Sequence, residues 1–238
     1  MSVFLAGTTP AIQYTAQVLK QQGIHVVRNP EWDVTDVLLD VPTFRPGGMT
    51  REQLDTLLAS LPGNVRLWGG NISVDGYTCT DLLKDEPYLW DNAAITARCA
   101  LNLTKQNLAG CPVLILGWGR IGTHLAKLLT DQGSCVTLAV RNDIQRLRLC
   151  ALGYEAVNYS QLPPLLCGFR IVFNTVPCPI LYSAELSENC VKIDLASQRG
   201  ISGNDVIWAR GLPGTHAPEE SGKLIADTFL RLRKELTP

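Results

Sequence analysis

The sequence lacks the patterns that mark a membrane span, a metal site or a disulfide framework. No apolar run approaches the length of a transmembrane helix. The eight cysteines form no C-x-x-C pair and have no histidine at metal-ligand spacing, which indicates reduced thiols. The first residues lack the charged start and the long apolar core of a signal peptide. We therefore expect a cytoplasmic protein with no bound metal and no membrane association.

The chain also has neither an excess of basic residues nor any repeat. Its 21 Lys and Arg residues balance 22 Asp and Glu residues, and no basic stripe points to nucleic acid. Repeats and low-complexity tracts are absent. A chain of 238 residues can bury a proper core as one large domain or two small ones. We expect a globular protein that does not bind nucleic acid.

The most informative segment is the run 113–122. An apolar strand leads into Gly117, Gly119 and Gly122 at the G-x-G-x-x-G spacing, and a helix-like segment and a second apolar strand follow. Gly117 permits a tight turn, Gly119 lets the backbone approach a pyrophosphate, and Gly122 lets helix and strand pack closely. The N-terminus of the helix offers N–H groups to the phosphates. The pattern predicts a Rossmann nucleotide-binding unit.

The end of the second strand bears on the choice of cofactor. NAD sites usually place an acid at this point, whereas NADP sites place an arginine nearby for the 2′-phosphate. Here Arg141 and Asn142 follow the strand, with no acid at its tip. Asp143 could still reach a ribose, and Arg141 could be a solvated loop residue. The pattern favours NADP and leaves NAD open.

Strand-like and helix-like segments alternate along the chain, which predicts mostly parallel sheets covered by helices. The fold class is therefore α/β, with a Rossmann doubly wound parallel sheet plus a smaller N-terminal α/β domain. We place the N-terminal domain at 1–90, where the C-terminal helix 217–238 can join it, and the Rossmann domain at 91–216. The polar stretch from Gly69 to Pro87 interrupts the pattern, and a linking helix from Trp90 to Gln106 follows it.

In a doubly wound sheet, ligands bind beyond the carboxyl ends of the strands. The loops at these ends are rich in small and polar residues, although each alone could be an ordinary turn. The predicted cofactor-binding residues are Gly117, Trp118, Gly119, Arg120, Ile121, Gly122, Arg141, Asn142, Asn174, Thr175, Val176, Pro177, Asp194, Leu195, Ala196 and Ser197.

Four of the loops resemble the dipicolinate synthase A-subunit family of spore-forming Firmicutes. The matching stretches are 116–122, 174–177, 193–197 and 211–223, in the family's order. The resemblance implies a two-domain fold like that of D-2-hydroxyacid dehydrogenases. It also implies NADP-dependent oxidation of dihydrodipicolinate to dipicolinate during sporulation, alongside a flavoprotein-like B subunit.

The chain departs from the family's pattern at three places. Its N-terminal domain is shorter than in the family. Thr96-Ala97-Arg98 stands where the family has Thr-Ala-Glu, and Gln198-Arg199-Gly200 stands where it has a proline–glycine–glycine run. Because of these departures, two alternative functions stay open. The chain could bind a nucleotide without catalysis, or it could be a dehydrogenase of another small carboxylate.

A substrate with two carboxylates requires guanidinium or N–H donors. Arg45 and Arg98 are the candidates, because both belong to segments expected to border the cleft, although either could be a surface residue. Thr96, Pro213 and Gly214 complete the predicted substrate-binding set.

The catalytic residues are less defined. Asp194 and His216 are the candidates for the proton acceptor. The alternative for Asp194 is turn capping, and the alternative for His216 is an ordinary loop position. No Ser/His/Asp triad has a defensible spacing. By analogy with the fold, we expect a homodimer.

Overall fold

The computed structural model describes residues 2–29, 31 and 33–236. Its strands are β1 (Ser2–Leu5), β2 (His25–Val27), β3 (Val34–Leu38), β4 (Arg66–Gly69), β5 (Thr78–Asp81), β6 (Pro112–Leu116), β7 (Cys135–Val140), β8 (Glu155–Asn158), β9 (Ile171–Asn174), β10 (Leu181–Tyr182), β11 (Val191–Asp194), β12 (Ile201–Ser202) and β13 (Ile207–Trp208). Its α-helices are α1 (Pro10–Gln21), α2 (Arg51–Leu58), α3 (Glu86–Asn102), α4 (Arg120–Asp131), α5 (Asp143–Ala151), α6 (Leu212–His216) and α7 (Pro218–Glu235).

The chain divides into two compact units. One consists of Met1–Asn92 together with Pro213–Pro238, and the other of Ala93–Leu212. The division falls within α3 at one boundary and within α6 at the other. The division of the chain into functional domains at 1–90 and 91–216, which we expect from the sequence, stays a prediction.

The first unit is built on a parallel sheet with the strand order β2-β1-β3-β4-β5. Apolar residues of α1 and α7 form a core cluster with one set of strand residues, which includes Leu5 and Trp68. A second cluster contains Phe4 and Leu67 and is completed by residues of α2. Because successive strand residues point to opposite faces, both faces of this sheet are buried by helices.

Helix α7 belongs to the first unit because it packs closely on α1. A β-carbon on Gly222 would collide with the Ala11 carbonyl oxygen, so only glycine allows this approach. The Thr15 hydroxyl bridges the two helices, because it lies 2.9 Å from the Ala11 carbonyl oxygen and 3.0 Å from that of Gly222. Phe229 then packs edge-on against Trp68, with ring centroids 4.8 Å apart.

The Asp36 carboxylate is fully buried in this unit and joins three elements. It accepts hydrogen bonds from the Trp68 indole N–H at 2.9 Å and from the Arg233 Nε–H at 3.1 Å. The Arg66 guanidinium forms an ion pair with it at 3.0 Å. Since a buried carboxylate is stable only when paired and hydrogen-bonded, these partners are required by its burial.

The second unit contains a parallel sheet with the strand order β13-β11-β9-β6-β7-β8. Counted from β6, this is the order 6-5-4-1-2-3 of a doubly wound dinucleotide-binding sheet. Helix α4 follows β6 and packs on β6 and β7. The predicted fold class is confirmed. A separate pair of two-residue strands, β10 and β12, lies outside the main sheet.

The structure differs from the sequence-based expectations at several elements. The stretch from Gly69 to Pro87 contains β5, which the sequence did not predict because this strand is polar and only half-buried. Helix α3 begins at Glu86 rather than Trp90, and α4 begins at Arg120, directly after the glycine turn. A short helix, α6, forms where a loop was expected.

Among the described residues, no helix combines the length and the apolar composition needed to cross a membrane.

We predict that Asp36→Asn destabilises the protein by about 3 kcal/mol, because it removes the charge that two guanidinium groups need within a buried site. Urea unfolding followed by circular dichroism measures the loss. Asp227→Asn is the matched control, since Asp227 is an exposed carboxylate of the same unit that pairs with Lys223 on α7. Equal unfolding midpoints for the two variants would contradict the prediction.

Candidate functional site

The three glycines of the turn after β6 differ in the space that a β-carbon on each would find. Gly117 has a φ of +96°, and a β-carbon there would lie 2.5 Å from Val176 Cγ2 and 2.7 Å from Thr175 Oγ1. A β-carbon on Gly122 would collide with the Gly117 carbonyl oxygen. Gly119 is different, because nothing lies within 4 Å of the position its β-carbon would occupy. The turn is therefore tightly packed on the protein side and open at Gly119.

Helix α4 starts at this opening. Gly119 is its N-cap residue, and no side chain provides a capping hydrogen bond. An uncapped helix N-terminus has backbone N–H groups and a positive dipole end that suit an anionic ligand. The exposed Gly119 and the half-buried Trp118 and Arg120 line this end of the helix.

The other predicted loops lie at the same edge of the sheet. Leu116 of β6 is in register with Asn174 of β9, which is in register with Asp194 of β11. Asp194 is in turn in register with Trp208 of β13. This row of residues ends four neighbouring strands, so the loops after Leu116, Asn174 and Asp194 emerge side by side.

Asn174 and Asp194 are fully buried and bind each other within this row. The Asn174 amide N–H donates to the Asp194 carboxylate at 2.9 Å and to the Val176 carbonyl oxygen at 3.0 Å. The same carboxylate accepts backbone N–H groups of Ala196 at 3.0 Å, Gly200 at 2.7 Å and Ile201 at 2.9 Å. Asp194 thus forms the turn-capping interactions that were the alternative to a catalytic role.

The loops after these two residues remain accessible to a ligand in part. Thr175 is half-buried, and its hydroxyl donates to the Leu116 carbonyl oxygen at 2.9 Å, which ties this loop to the glycine turn. Pro177 and Ser197 are exposed, whereas Leu195 and Ala196 are buried. Since Leu195 and Ala196 present little surface, their contribution to a ligand site is confined to the backbone.

At the opposite half of the sheet, Arg141 follows β7 and is exposed. Asp143, the acid that could have competed for a ribose, accepts hydrogen bonds from Arg146 at 3.4 Å and from the Asn158 amide at 3.2 Å. Asn142 caps α5, because its side-chain oxygen accepts the N–H groups of residues 144 and 145 at 2.8 and 3.2 Å. The acid is therefore engaged within the fold while Arg141 has no carboxylate within 4 Å among the described residues.

Tyr159 lies near Arg141 and is half-buried. Burial raises the pKa of its phenol, Cys178 acts in the same direction, and the nearby Arg141 opposes them. The phenol therefore stays neutral at physiological pH and does not neutralise the guanidinium of Arg141.

The predicted substrate-binding residues are distributed over both units. Arg45 and Pro213 to Gly214 belong to the first unit, and Thr96 and Arg98 to the second. Arg45 is 3.8 Å from the buried carboxylate of Asp40. Thr96 is buried in α3, and Arg98 is exposed on the same helix.

His216, the second candidate for the proton acceptor, belongs to the first unit and ends α6. It is exposed, and its Nδ1 lies 2.8 Å from the Thr215 hydroxyl. Because the imidazole is exposed, a substrate proton can reach it. His216 therefore stays a candidate for the proton acceptor, and its exposure is the observation that supports it.

Two features of the structure were missed by the sequence analysis. A cavity of about 610 Å³ lies in the first unit, lined by Thr8, Asp40, Gly48 and other residues around the ends of β1 and β3. In the second unit, the guanidinium groups of Arg199 and Arg210 stack on the Trp208 ring, 4.9 and 5.3 Å from its centroid. No motif marks either feature, because both depend on residues brought together by the fold.

Within the ranges that the structure covers, no group of three or more His, Cys, Asp or Glu side chains is arranged to hold a metal ion.

Comparison with known proteins identifies relatives in sequence and in fold. No family model matches the chain. The dipicolinate synthase A-subunit of Bacillus subtilis (strain 168) is 28% identical over 152 residues, which cover 59% of this chain and 51% of that protein. The sequence match thus spans about half the length of this relative.

Solved structures extend the likeness of fold to nearly the whole chain. The crystal structure of the dipicolinate synthase A-subunit from Bacillus halodurans superimposes with a TM-score of 0.77 at 20% identity, covering 97% of this chain and 96% of that chain. Salmonella D-lactate dehydrogenase superimposes with a TM-score of 0.66 at 12% identity, covering 100% and 98%. The resemblance that the four loops indicate is confirmed: the chain is similar to the dipicolinate synthase A-subunit in sequence, and it shares that protein's dehydrogenase-like fold.

Proposed function

We propose that the protein is an NADP-dependent oxidoreductase that oxidises dihydrodipicolinate to dipicolinate. This is the reaction that the resemblance of the four loops implies, and dipicolinate is the compound in the name of the relative. The observation that carries the proposal is the open position at Gly119, below an uncapped helix N-terminus at the end of β6. The sequence similarity to the dipicolinate synthase A-subunit gives the reaction class.

The residues of the second unit fit a dinucleotide. The backbone at Gly119 and the first turn of α4 would hold the pyrophosphate, since no β-carbon obstructs its approach. Arg141 would hold the 2′-phosphate of the adenosine half, because its guanidinium can bind a phosphate bidentately and Asp143 is already engaged. Asn174 and Thr175 would lie along the nicotinamide half.

When bound, the nicotinamide ring supplies the hydride acceptor. The protein's own task is placement, because conversion of a dihydropyridine dicarboxylate to an aromatic ring is downhill. Asp194 acts as a positioning residue in this proposal, since its carboxylate accepts four hydrogen bonds that fix the loops at residues 174–176 and 194–201. Of the two candidates for the proton acceptor, His216 is the exposed one.

The same resemblance carries further proposals. The chain would act in the cytoplasm during sporulation, beside a flavoprotein-like B subunit, and would form a homodimer. A small N-terminal domain with the C-terminal helix and a Rossmann domain over 91–216 would form its functional parts. Arg45, Thr96, Arg98, Pro213 and Gly214 remain the proposed substrate contacts.

We predict that Gly119→Val weakens NADPH binding at least about tenfold, because the side chain would fill the space proposed for the pyrophosphate. Fluorescence titration with NADPH measures the affinity. Gly168→Val is the matched control, because nothing lies within 4 Å of its β-carbon position either, and it lies in another segment of the same unit.

The stability of the variants separates this effect from misfolding. Gly119→Val is expected to unfold close to the wild type, since its φ of −97° and ψ of −166° suit a valine. Gly117→Ala is expected to lose about 2 kcal/mol, because its φ is positive and its β-carbon would overlap Val176. Unchanged NADPH affinity in a folded Gly119→Val variant would remove the pyrophosphate assignment.

We predict that Arg141→Gln lowers the affinity for NADPH about tenfold to a hundredfold and leaves the affinity for NADH unchanged. The loss corresponds to a charge-assisted hydrogen bond to the 2′-phosphate, which NADH lacks. Arg148→Gln, which alters an exposed arginine of α5, is the control. A parallel loss for both nucleotides, or a wild type that prefers NADH, would contradict the choice of NADP.

We predict that the protein, mixed with NADP, a B-type flavoprotein-like partner and enzymatically generated dihydrodipicolinate, forms NADPH. Absorbance at the NADPH band and chromatography of dipicolinate follow both products. The Gly119→Val variant is the negative control, since it should remain folded without cofactor. Tight NADPH binding without turnover would favour a nucleotide-binding protein that has lost catalysis, and turnover of a 2-oxo acid instead would favour another dehydrogenase.

A further inference from the structure

Arg199, Trp208 and Arg210 form a cluster at the carboxyl edge of the second sheet, which we call the arginine–tryptophan cluster. Trp208 ends β13 in register with Asp194, and its indole N–H donates to the Ala196 carbonyl oxygen at 3.1 Å. This bond fixes the ring against the loop that follows β11. The ring remains 38% exposed and has two guanidinium groups stacked on it.

The cluster carries uncompensated positive charge. Arg199 and Arg210 are exposed, and no described Asp or Glu oxygen lies within 4 Å of either guanidinium. Asp194, the acid of the adjoining strand end, already accepts an amide and three backbone N–H groups. Asp205, which precedes β13, pairs with Lys192 at 2.6 Å. Both neighbouring acids are therefore engaged elsewhere, and the two arginines keep their hydrogen-bonding forks for a ligand.

The position of the cluster relates it to the proposed reaction. Trp208 is three strands from Leu116, which corresponds to about 14 Å at the usual strand spacing. The cluster is thus displaced from the turn proposed for the pyrophosphate. It lies on the β9–β11–β13 half of the sheet, the half opposite to Arg141, where a doubly wound sheet receives the second mononucleotide of a dinucleotide.

We infer that the arginine–tryptophan cluster recognises a planar aromatic or dihydroaromatic ring that carries two carboxylates. The indole holds both guanidinium groups by cation–π contact. Their planar faces can stack on a ring, and their N–H groups can bind two carboxylates bidentately. The inference rests on the proposed function for its link to hydride transfer. It adds Arg199 and Arg210 as specificity-determining residues.

The test measures binding of pyridine-2,6-dicarboxylate by isothermal titration calorimetry to the full chain in the presence of NADPH. We expect Arg199→Gln and Arg210→Gln each to weaken binding about tenfold, the loss of one charge-assisted contact. The double variant should lose more than either single one. Arg170→Gln is the matched control, since it removes an exposed arginine at the amino end of β9, the opposite edge of the same sheet.

Two further comparisons test the chemical class. Pyridine-2-carboxylate should bind at least about tenfold more weakly than the dicarboxylate, and inorganic phosphate should not displace the dicarboxylate at equal concentration. Trp208→Phe should retain binding, whereas Trp208→Leu should weaken it, because only the former keeps an aromatic face. Circular dichroism confirms that each variant is folded.

The outcomes separate this inference from the proposed function. Dicarboxylate affinity that depends on the two arginines supports the inference even if dihydrodipicolinate is not oxidised. The inference is overturned if the wild type does not bind the dicarboxylate, if the arginine variants behave like Arg170→Gln, or if phosphate competes equally. Loss of NADPH affinity in the double variant would also overturn it, since the cluster would then belong to the cofactor site.

Discussion

The carboxylate of Asp194 is the interaction on which the proposed site depends. It lies at the end of β11 with no exposed surface, and such a group is stable only when hydrogen bonds replace water. Its partners are the Asn174 amide of the neighbouring strand and three backbone N–H groups of the loop up to Ile201. Because one charged group satisfies all of these donors, the two loops have a fixed shape before any ligand binds.

A second buried carboxylate, Asp36, has the same role in the first unit. There it joins β3 to the Trp68 indole on β4 and to Arg233 on α7. Apolar contacts, the bridge at Thr15 and the ion pair of Arg231 with Asp85 also hold this helix. Each unit therefore uses a buried acid to connect segments that are distant in sequence. This arrangement makes the positions of the surrounding loops and helices specific, since a misplaced segment would leave a buried charge unpaired.

Two kinds of polar group lie at the carboxyl edge of the second sheet: some are bonded within the protein, and others face solvent. Asn174 and Asp194 are buried and bonded within the protein, whereas Arg141 and the arginine–tryptophan cluster present guanidinium groups without carboxylate partners among the described residues. Arg199 and Arg210 follow β11 and β13 on one side of β6, and Arg141 follows β7 on the other side. The open position at Gly119, which follows β6, lies between them. This order of charges suits a long anionic ligand and a carboxylate beside it.

The α/β class, the glycine turn and the order of the strand-end loops could be predicted from the sequence, because these depend on local periodicity and on the conformations that glycine alone adopts. The sequence did not reveal β5, a polar strand defined only by pairing with β4, or the start of α4 at Arg120. The internal hydrogen bonds of Asp194 and the meeting of Arg199 and Arg210 on Trp208 are visible only in the folded chain. These facts depend on contacts between strands that the chain brings together only when folded.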